Sequence, residues 1–296
     1  MTEQASMLLD LSGYQRTLRY LPDGSDRSLK IAHGLMVFDL EFQSILMKYI
    51  GFFEIAFRSR YATAMAESRG PFAHRNPKNF SDPEFYQSFL NHYADELTRS
   101  ASRNRQIADE VSRFGDVPIW TAVESMTFGT LSKLYKNTRS RAIKDSVSEA
   151  FGTGYQTFSS WLRSLSVARN ECAHFGKLLG TRLVSQPKSI DGVPIRNDNP
   201  FCLVLILAKV LCEHVIFDDD ASLSHDVMLI RDITELITAR DRMRRLSGIP
   251  DDWKDLITLA MDQEGLHVDF KGDIFGAPKR GVCVTAGQHD GPVILD

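Results

Sequence analysis

Cysteine is scarce: four in 296 residues, at positions 172, 202, 212 and 283, with no Cys-x-x-Cys pair. That excludes a zinc ribbon and a dithiol redox motif, and it fits buried thiols in a reduced compartment. Long apolar runs are missing too. The longest nearly uncharged stretch, Phe201–Val210, is well short of the ~20 residues that span a bilayer. Residues 1–20 mix acidic, polar and arginine residues into a brief apolar run, which is not a secretory signal pattern. The expectation is a cytoplasmic protein with no membrane association. No GxxxxGK[ST], GxSxG or HExxH sequence occurs, so nothing points to a P-loop NTPase, an α/β-hydrolase or a zincin. No metal or cofactor is expected, and there are no internal repeats.

What is there is charge of ordinary amount and uneven distribution. Charged residues make up 25% of the chain and apolar residues 43%, typical of a globular protein with a sizeable core. The net charge of -3 hides an asymmetry. Residues 218–296 carry 16 acids and 9 bases, and residues 1–217 carry 22 acids and 26 bases. A basic body with an acidic C-terminal part is compatible with a polyanionic ligand, although surface charge also serves solubility.

Strand signals are weak and helix signals strong. From 30 to 68, apolar residues recur at three- and four-residue spacing, on one long helix or two joined near Gly51. Gly70-Pro71 stops it, and residues 71–82 read as a loop. Ser81-Asp82-Pro83 starts a helix that runs to about Arg113. Pro118 opens another, Ile119–Lys136. Residues 139–150 read as helical, and Thr157 to about Leu179 as a further helix. Phe201–Phe217, Met228–Leu246 and Trp253–Met261 complete the set. The fold expected from these patterns is all-α, a bundle of roughly eight helices. Residues 200–263 read as a C-terminal helical extension of a domain spanning 1–199. Residues 264–296 are a Gly-rich tail in which Gly281–Asp296 forms either a small hairpin or no fixed structure.

One segment stands out for chemistry: Val167-Ala168-Arg169-Asn170-Glu171-Cys172-Ala173-His174. On a helix its Arg and His are ~140° apart around the axis and ~7.5 Å along it, near neighbours rather than one stacked row. Arginine supplies a permanent charge and a donor fork suited to phosphate. Histidine exchanges protons near neutral pH. Together they form a minimal kit for cutting RNA without a metal, in which one group deprotonates the 2′-OH, one protonates the leaving oxygen and a cation stabilises the phosphorane. One Arg and one His are too few for two proton transfers; two copies facing each other suffice.

The spacing alone says little. With 23 arginines and 8 histidines, random placement gives about two cases of an Arg followed by four to six residues and a His, and the chain has three. Arg69 and His74 straddle Gly70-Pro71, which no continuous helix tolerates. Arg27 and His33 sit at a helix start. Only Arg169 and His174 fall in a long apolar-patterned helix. The competing reading, an interface arginine and a core histidine, stays open on this ground.

Four blocks bear on that choice: Leu11-Ser12-Gly13-Tyr14; Val37-Phe38-Asp39-Leu40 followed by Ile50–Arg58; Val117–Tyr135; and Ser160–Leu179. They resemble the LSGY, FD…IEIALR, PxW…E…SFGxLSxLY and W…L…VRNxCAHH elements of the Abi-like (abortive infection, AbiD/AbiF-type) proteins of the HEPN superfamily. The likeness covers roughly residues 8–183. Where the family often has a second His and an Arg after the motif, this chain has Phe175-Gly176-Lys177.

The resemblance implies a HEPN-type helical bundle with additional C-terminal helices. It implies a metal-independent endoribonuclease of phage defence or toxin type, leaving 2′,3′-cyclic phosphate ends. Arg169 and His174 match its R-x4-H motif, and Asn170 the polar residue after the Arg. Glu54 matches the family's IEI glutamate and is expected to orient Arg169 or His174, unless it only pairs with Arg58 one turn on. The implied partners are an RNA substrate, a second copy in a homodimer, and a restraining antitoxin protein or small RNA. The alternative is a non-catalytic HEPN module that binds RNA or protein.

Two basic runs remain. Lys133–Lys144, with Lys133, Lys136, Arg139, Arg141 and Lys144 and no acid, is a candidate phosphate track. Arg240–Arg245 is a basic helix end that the helix dipole favours. Asp218–Asp220 and Asp251-Asp252 read as helix caps rather than metal ligands.

Overall fold

The computed structural model describes residues 13, 14, 16, 19, 28–212, 224–262, 267–268 and 274–275. Its axis is α1, Leu29–Arg69, one continuous helix of 41 residues and about 60 Å. Gly51 does not break it. The reason lies in the pattern. Leu35, Phe38, Phe42, Leu46, Tyr49, Phe53, Phe57 and Tyr61 recur along one stripe and are all buried, and packing along that stripe outweighs one glycine's propensity cost of about 1 kcal/mol. Gly70, at φ 86, ends the helix.

Two short 3-10 turns, Ala73–Arg75 and Pro77–Asn79, lead into α2, Pro83–Ala101, with Asp82 capping the Phe85 N–H. The helix expected to reach Arg113 stops at Ala101. Asn104 accepts hydrogen bonds from the Gln106 and Ile107 N–H groups and starts α3, Arg105–Phe114. In the same way the expected Ile119–Lys136 helix is two: α4, Ile119–Ser125, and α5, Phe128–Asn137, which Thr127 caps. Both breaks follow the same physics, a side-chain oxygen satisfying N–H groups that a continuous helix would bond to its own carbonyls. Next come α6, Arg141–Glu149, and α7, Tyr155–Ala173. Phe53 and Phe57 of α1 meet Phe128, Phe151 and Phe158 as an aromatic core, with ring centroids 5.2–6.4 Å apart.

The C-terminal helices share that core. In α8, Phe201–Cys212, every residue from Phe201 to Leu211 is buried; residues 213–217 of the expected helix, and Asp218–Asp220, lie outside the described residues. The expected Met228–Leu246 helix is divided into α9, His225–Ala239, and α10, Asp241–Leu246, at the non-helical Arg240. Helix α11 is Trp253–Asp262. Helices α8, α9 and α10 all pack on α1. Gly34 lets α10 approach, since a Cβ there would lie 2.9 Å from Met243 Sδ. The Arg240–Arg245 run has a structural role: Arg244 is buried, bonding Asp241, Asp251 and the Ile249 and Pro250 carbonyls, and Arg240 pairs with Glu41. Asp251 is therefore an ion-pair partner as well as a residue at a helix start.

The protein is all-α, with eleven helices among the described residues. The only described strands are a two-residue pair, β1 (His267–Val268) and β2 (Ile274–Phe275), joined antiparallel. Gly281–Asp296 lies outside the described residues. No described helix is long and apolar enough to cross a membrane. Cys172 and Cys202 are buried free thiols and Cys212 is half-buried; Cys283 is outside the described residues.

Candidate active site

The expected helix from Thr157 to Leu179 ends six residues early, and the site sits at that end. His174 is the C-cap of α7, with φ -100 and ψ 10. Its N–H donates to the Asn170 and Glu171 carbonyls at 3.1 and 3.2 Å, so it still belongs to the last helical turn. Phe175 N–H donates to the Cys172 carbonyl at 3.1 Å and Gly176 N–H to the Glu171 carbonyl at 2.9 Å. This is a Schellman closure, with Phe175 in the left-handed position at φ 54. Glycine ordinarily takes that position because a Cβ there costs roughly 1–2 kcal/mol. Phe175 is moreover 78% exposed.

Helix α1 holds the turn from behind. The Asp39 carboxylate, buried at 1% exposure, accepts from the N–H groups of Leu178 and Leu179 at 3.0 and 2.9 Å and from the Tyr14 hydroxyl at 2.8 Å. Gln43 donates to the Gly176 carbonyl at 2.8 Å. Burial raises the Asp39 pKa, and the Leu179, Leu178 and Tyr14 donors work against that rise. The chain leaving His174 is thus pinned at three backbone positions, Gly176, Leu178 and Leu179. Sequence reasoning took neither Asp39 nor Gln43 as a site residue. The signal was the buried-face position of an acid and an amide within the apolar stripe of α1.

His174 and Asn170 are exposed and Arg169 is half-buried. Among the described residues, no side-chain hydrogen bond or ion pair involves Arg169 or His174. Neither side chain is tied up by the fold among the described residues. Cys172, between them, is buried, and burial, with the charges of Asp39 and Glu171, pushes its thiol up to about 12, away from the thiolate form. Burial likewise raises the Glu171 carboxyl. Glu54 pairs with Arg58, whose guanidinium also bonds the Val123 carbonyl, so α1 is tied to α4. Among the described residues it makes no hydrogen bond to Arg169 or His174.

A model of the Abi-like proteins matches residues 8–179, a span that contains α1, α7, Asp39 and the Arg169–His174 turn. The chain belongs to the Abi-like protein family. Neither the curated proteins nor the solved structures contain a match to it. The matched span of this Abi-like protein stops before α8, so the C-terminal helices that complete its core lie outside the family region.

The five bases of the Lys133–Lys144 run are not equivalent. Arg139 donates to the Phe80 carbonyl at 2.8 and 3.2 Å. Arg141 pairs with Asp145 at 2.6 Å and lies 4.0 Å from the Tyr155 ring centroid, and Lys144 is 4.7 Å from the same centroid. Lys133 and Lys136 are exposed. Among the described residues neither has a carboxylate partner. No group of three or more His, Cys, Asp or Glu side chains is clustered for a metal ion among the described residues.

Proposed function

We propose that this Abi-like protein is a HEPN-type endoribonuclease, acting as a homodimer in abortive-infection phage defence. Its family membership points to that defence role. The observation that carries the nuclease reading is the end of α7: an arginine and a histidine five residues apart, unpaired among the described residues, on a backbone held by Asp39 and Gln43.

In this reading Arg169 holds the scissile phosphate and neutralises charge as the phosphorane forms. His174 of one copy takes the 2′-OH proton, the 2′-oxygen bonds to phosphorus, and the bond to the 5′-oxygen breaks. His174 of the second copy protonates that leaving oxygen. Asn170, exposed beside Arg169, serves as a hydrogen-bonding neighbour of the phosphate. The products are a 2′,3′-cyclic phosphate and a 5′-hydroxyl. An enzyme that cuts its own host's RNA needs restraint, by an antitoxin protein or a small RNA.

The test is to incubate the full chain with a mixed RNA pool in EDTA and to map the ends. Cyclic-phosphate ends that disappear with Arg169→Ala support the reading; ends unchanged by that substitution refute it. The second reading, a binding module, is favoured by one feature: Phe175 stands where the family often has a second histidine. It predicts RNA or protein binding and growth effects that survive His174→Ala.

A further inference from the structure

A groove of about 400 Å³ opens between α5, α7 and the loop after it, lined by Lys136, Gln156, Ser159, Ser160, Arg163, Val184, Ser185 and Gln186. Its polar chemistry is of one kind. Two cations and five hydroxyl or amide side chains line it, and no acid does. Lys136 and Arg163 are exposed, and among the described residues neither has a carboxylate partner. The Ser159 hydroxyl is buried with no hydrogen-bond partner among the described residues, an arrangement that is costly unless something fills it. Two cations without a carboxylate partner, beside one buried hydroxyl left unsatisfied, suit a phosphate.

The groove also has a direction. Gln156, Ser160, Arg163, Asn170 and His174 are spaced 4, 3, 7 and 4 residues apart, which keeps them on one stripe of a helix. Arg163 and His174 are only ~20° apart around the axis and ~16 Å apart along it. A strand bound at His174 and followed back along α7 therefore arrives at Arg163 and Lys136.

We infer that this groove holds a backbone phosphate of the single-stranded RNA whose scissile bond lies at His174. The inference rests on the nuclease reading for the identity of the ligand. It also regroups the basic run: Lys136 joins Arg163, which lies beyond that run on α7, whereas Arg139 and Arg141 are spent on the fold.

The test uses the full chain carrying His174→Ala, so that RNA is bound and not cut, and a fluorescein-labelled single-stranded 20-mer RNA titrated across a salt series. Adding Lys136→Gln and Arg163→Gln is expected to weaken binding about tenfold and to lower the salt slope by about 1.4, two contacts at ~0.7 each. Arg103→Gln with Arg105→Gln removes the same charge from the exposed start of α3 and the turn before it and is expected to leave the slope near its parent value. Ser159→Ala is expected to weaken RNA binding two- to fivefold while the melting temperature stays level or rises, a pair of signs that a packing role does not produce. Equal slopes for the parent and the groove variant, or an equal loss in the α2–α3 control, overturn the groove while leaving the nuclease reading in place. A parent that binds no RNA overturns both. In that case inorganic pyrophosphate, bound by the parent and lost on Lys136→Gln with Arg163→Gln, would mark a phosphate site that does not serve RNA.

Discussion

Two segments of this protein carry an arginine followed five residues later by a histidine, Arg69–His74 and Arg169–His174, and they have opposite fates. Between the first two, Gly70 at φ 86 ends α1 and turns the chain inward. Arg69 stays at the surface while His74 is fully buried, 3.7 Å from Asp116 and edge-on to Tyr93. Between the second two, the helix continues until the histidine itself, His174 stays exposed and Arg169 stays half-buried. An identical spacing thus becomes core architecture in one place and a candidate site in the other. The backbone between the residues decides which, and the spacing does not.

The largest contrast expected is between the two arginines. Arg169→Ala is expected to slow RNA cutting by roughly 10²–10³-fold, the scale of losing a charged stabiliser of the transition state. Arg69→Ala is expected to leave the rate per folded molecule unchanged; equal losses would dissolve the comparison. Next is the buried histidine. His74→Ala removes a ring with no exposed surface and is expected to cost about 3 kcal/mol in a denaturant titration. A cost below about 0.5 kcal/mol, the range of surface substitutions, would show His74 to be less embedded than described.

Asp39→Ala strands the Leu178 and Leu179 N–H groups and the Tyr14 hydroxyl. It is expected to cost about 2 kcal/mol and also to reduce cutting, since the turn after His174 loses its anchor. Loss of stability with full activity would mean that the anchor does not position the site.

Acid sensitivity should belong to the buried pair. Burial alone would raise the Asp116 pKa, but the His74 ring, the Tyr93 hydroxyl and the Val117 N–H outweigh it and hold the carboxyl below its ordinary value. Such a group adds stability above its unfolded pKa of about 3.9, and that stability is lost as pH falls through the folded value. Asp116→Asn is therefore expected to flatten the fall in melting temperature between about pH 5 and pH 2. An unchanged acid limb would place that fall elsewhere. The smallest effect expected is at Phe175: glycine there relieves the left-handed backbone and loses little burial, a gain of about 0.5–1 kcal/mol, readable as a higher melting temperature.

The helical class was legible because apolar periodicity is strong, above all along α1. Where helices ended was less so. Asn104 and Thr127 interrupt patterns that periodicity alone carries onward, since a capping oxygen acts on backbone N–H groups and leaves the apolar stripe intact. The same blindness hid the end of α7: Gly176 follows the turn, but the left-handed position fell to Phe175, a residue that gives no stop signal. Arg169, Asn170 and His174 were legible as a motif. Asp39 and Gln43 were not, because what joins them to the candidate site is a contact across 133 to 140 positions of chain. The groove at Arg163 was invisible for a similar reason, its two cations coming from different helices.

The central claim is that chemistry belongs to the histidine at the end of α7 and not to its buried counterpart. The direct measurement is the rate of RNA cutting in EDTA per folded molecule, for His174→Ala and His74→Ala side by side at a temperature where both are folded. The account predicts that His174→Ala folds like the unsubstituted chain and loses roughly 10³-fold in rate, while His74→Ala is less stable and cuts normally. Cutting at full rate by His174→Ala would contradict it.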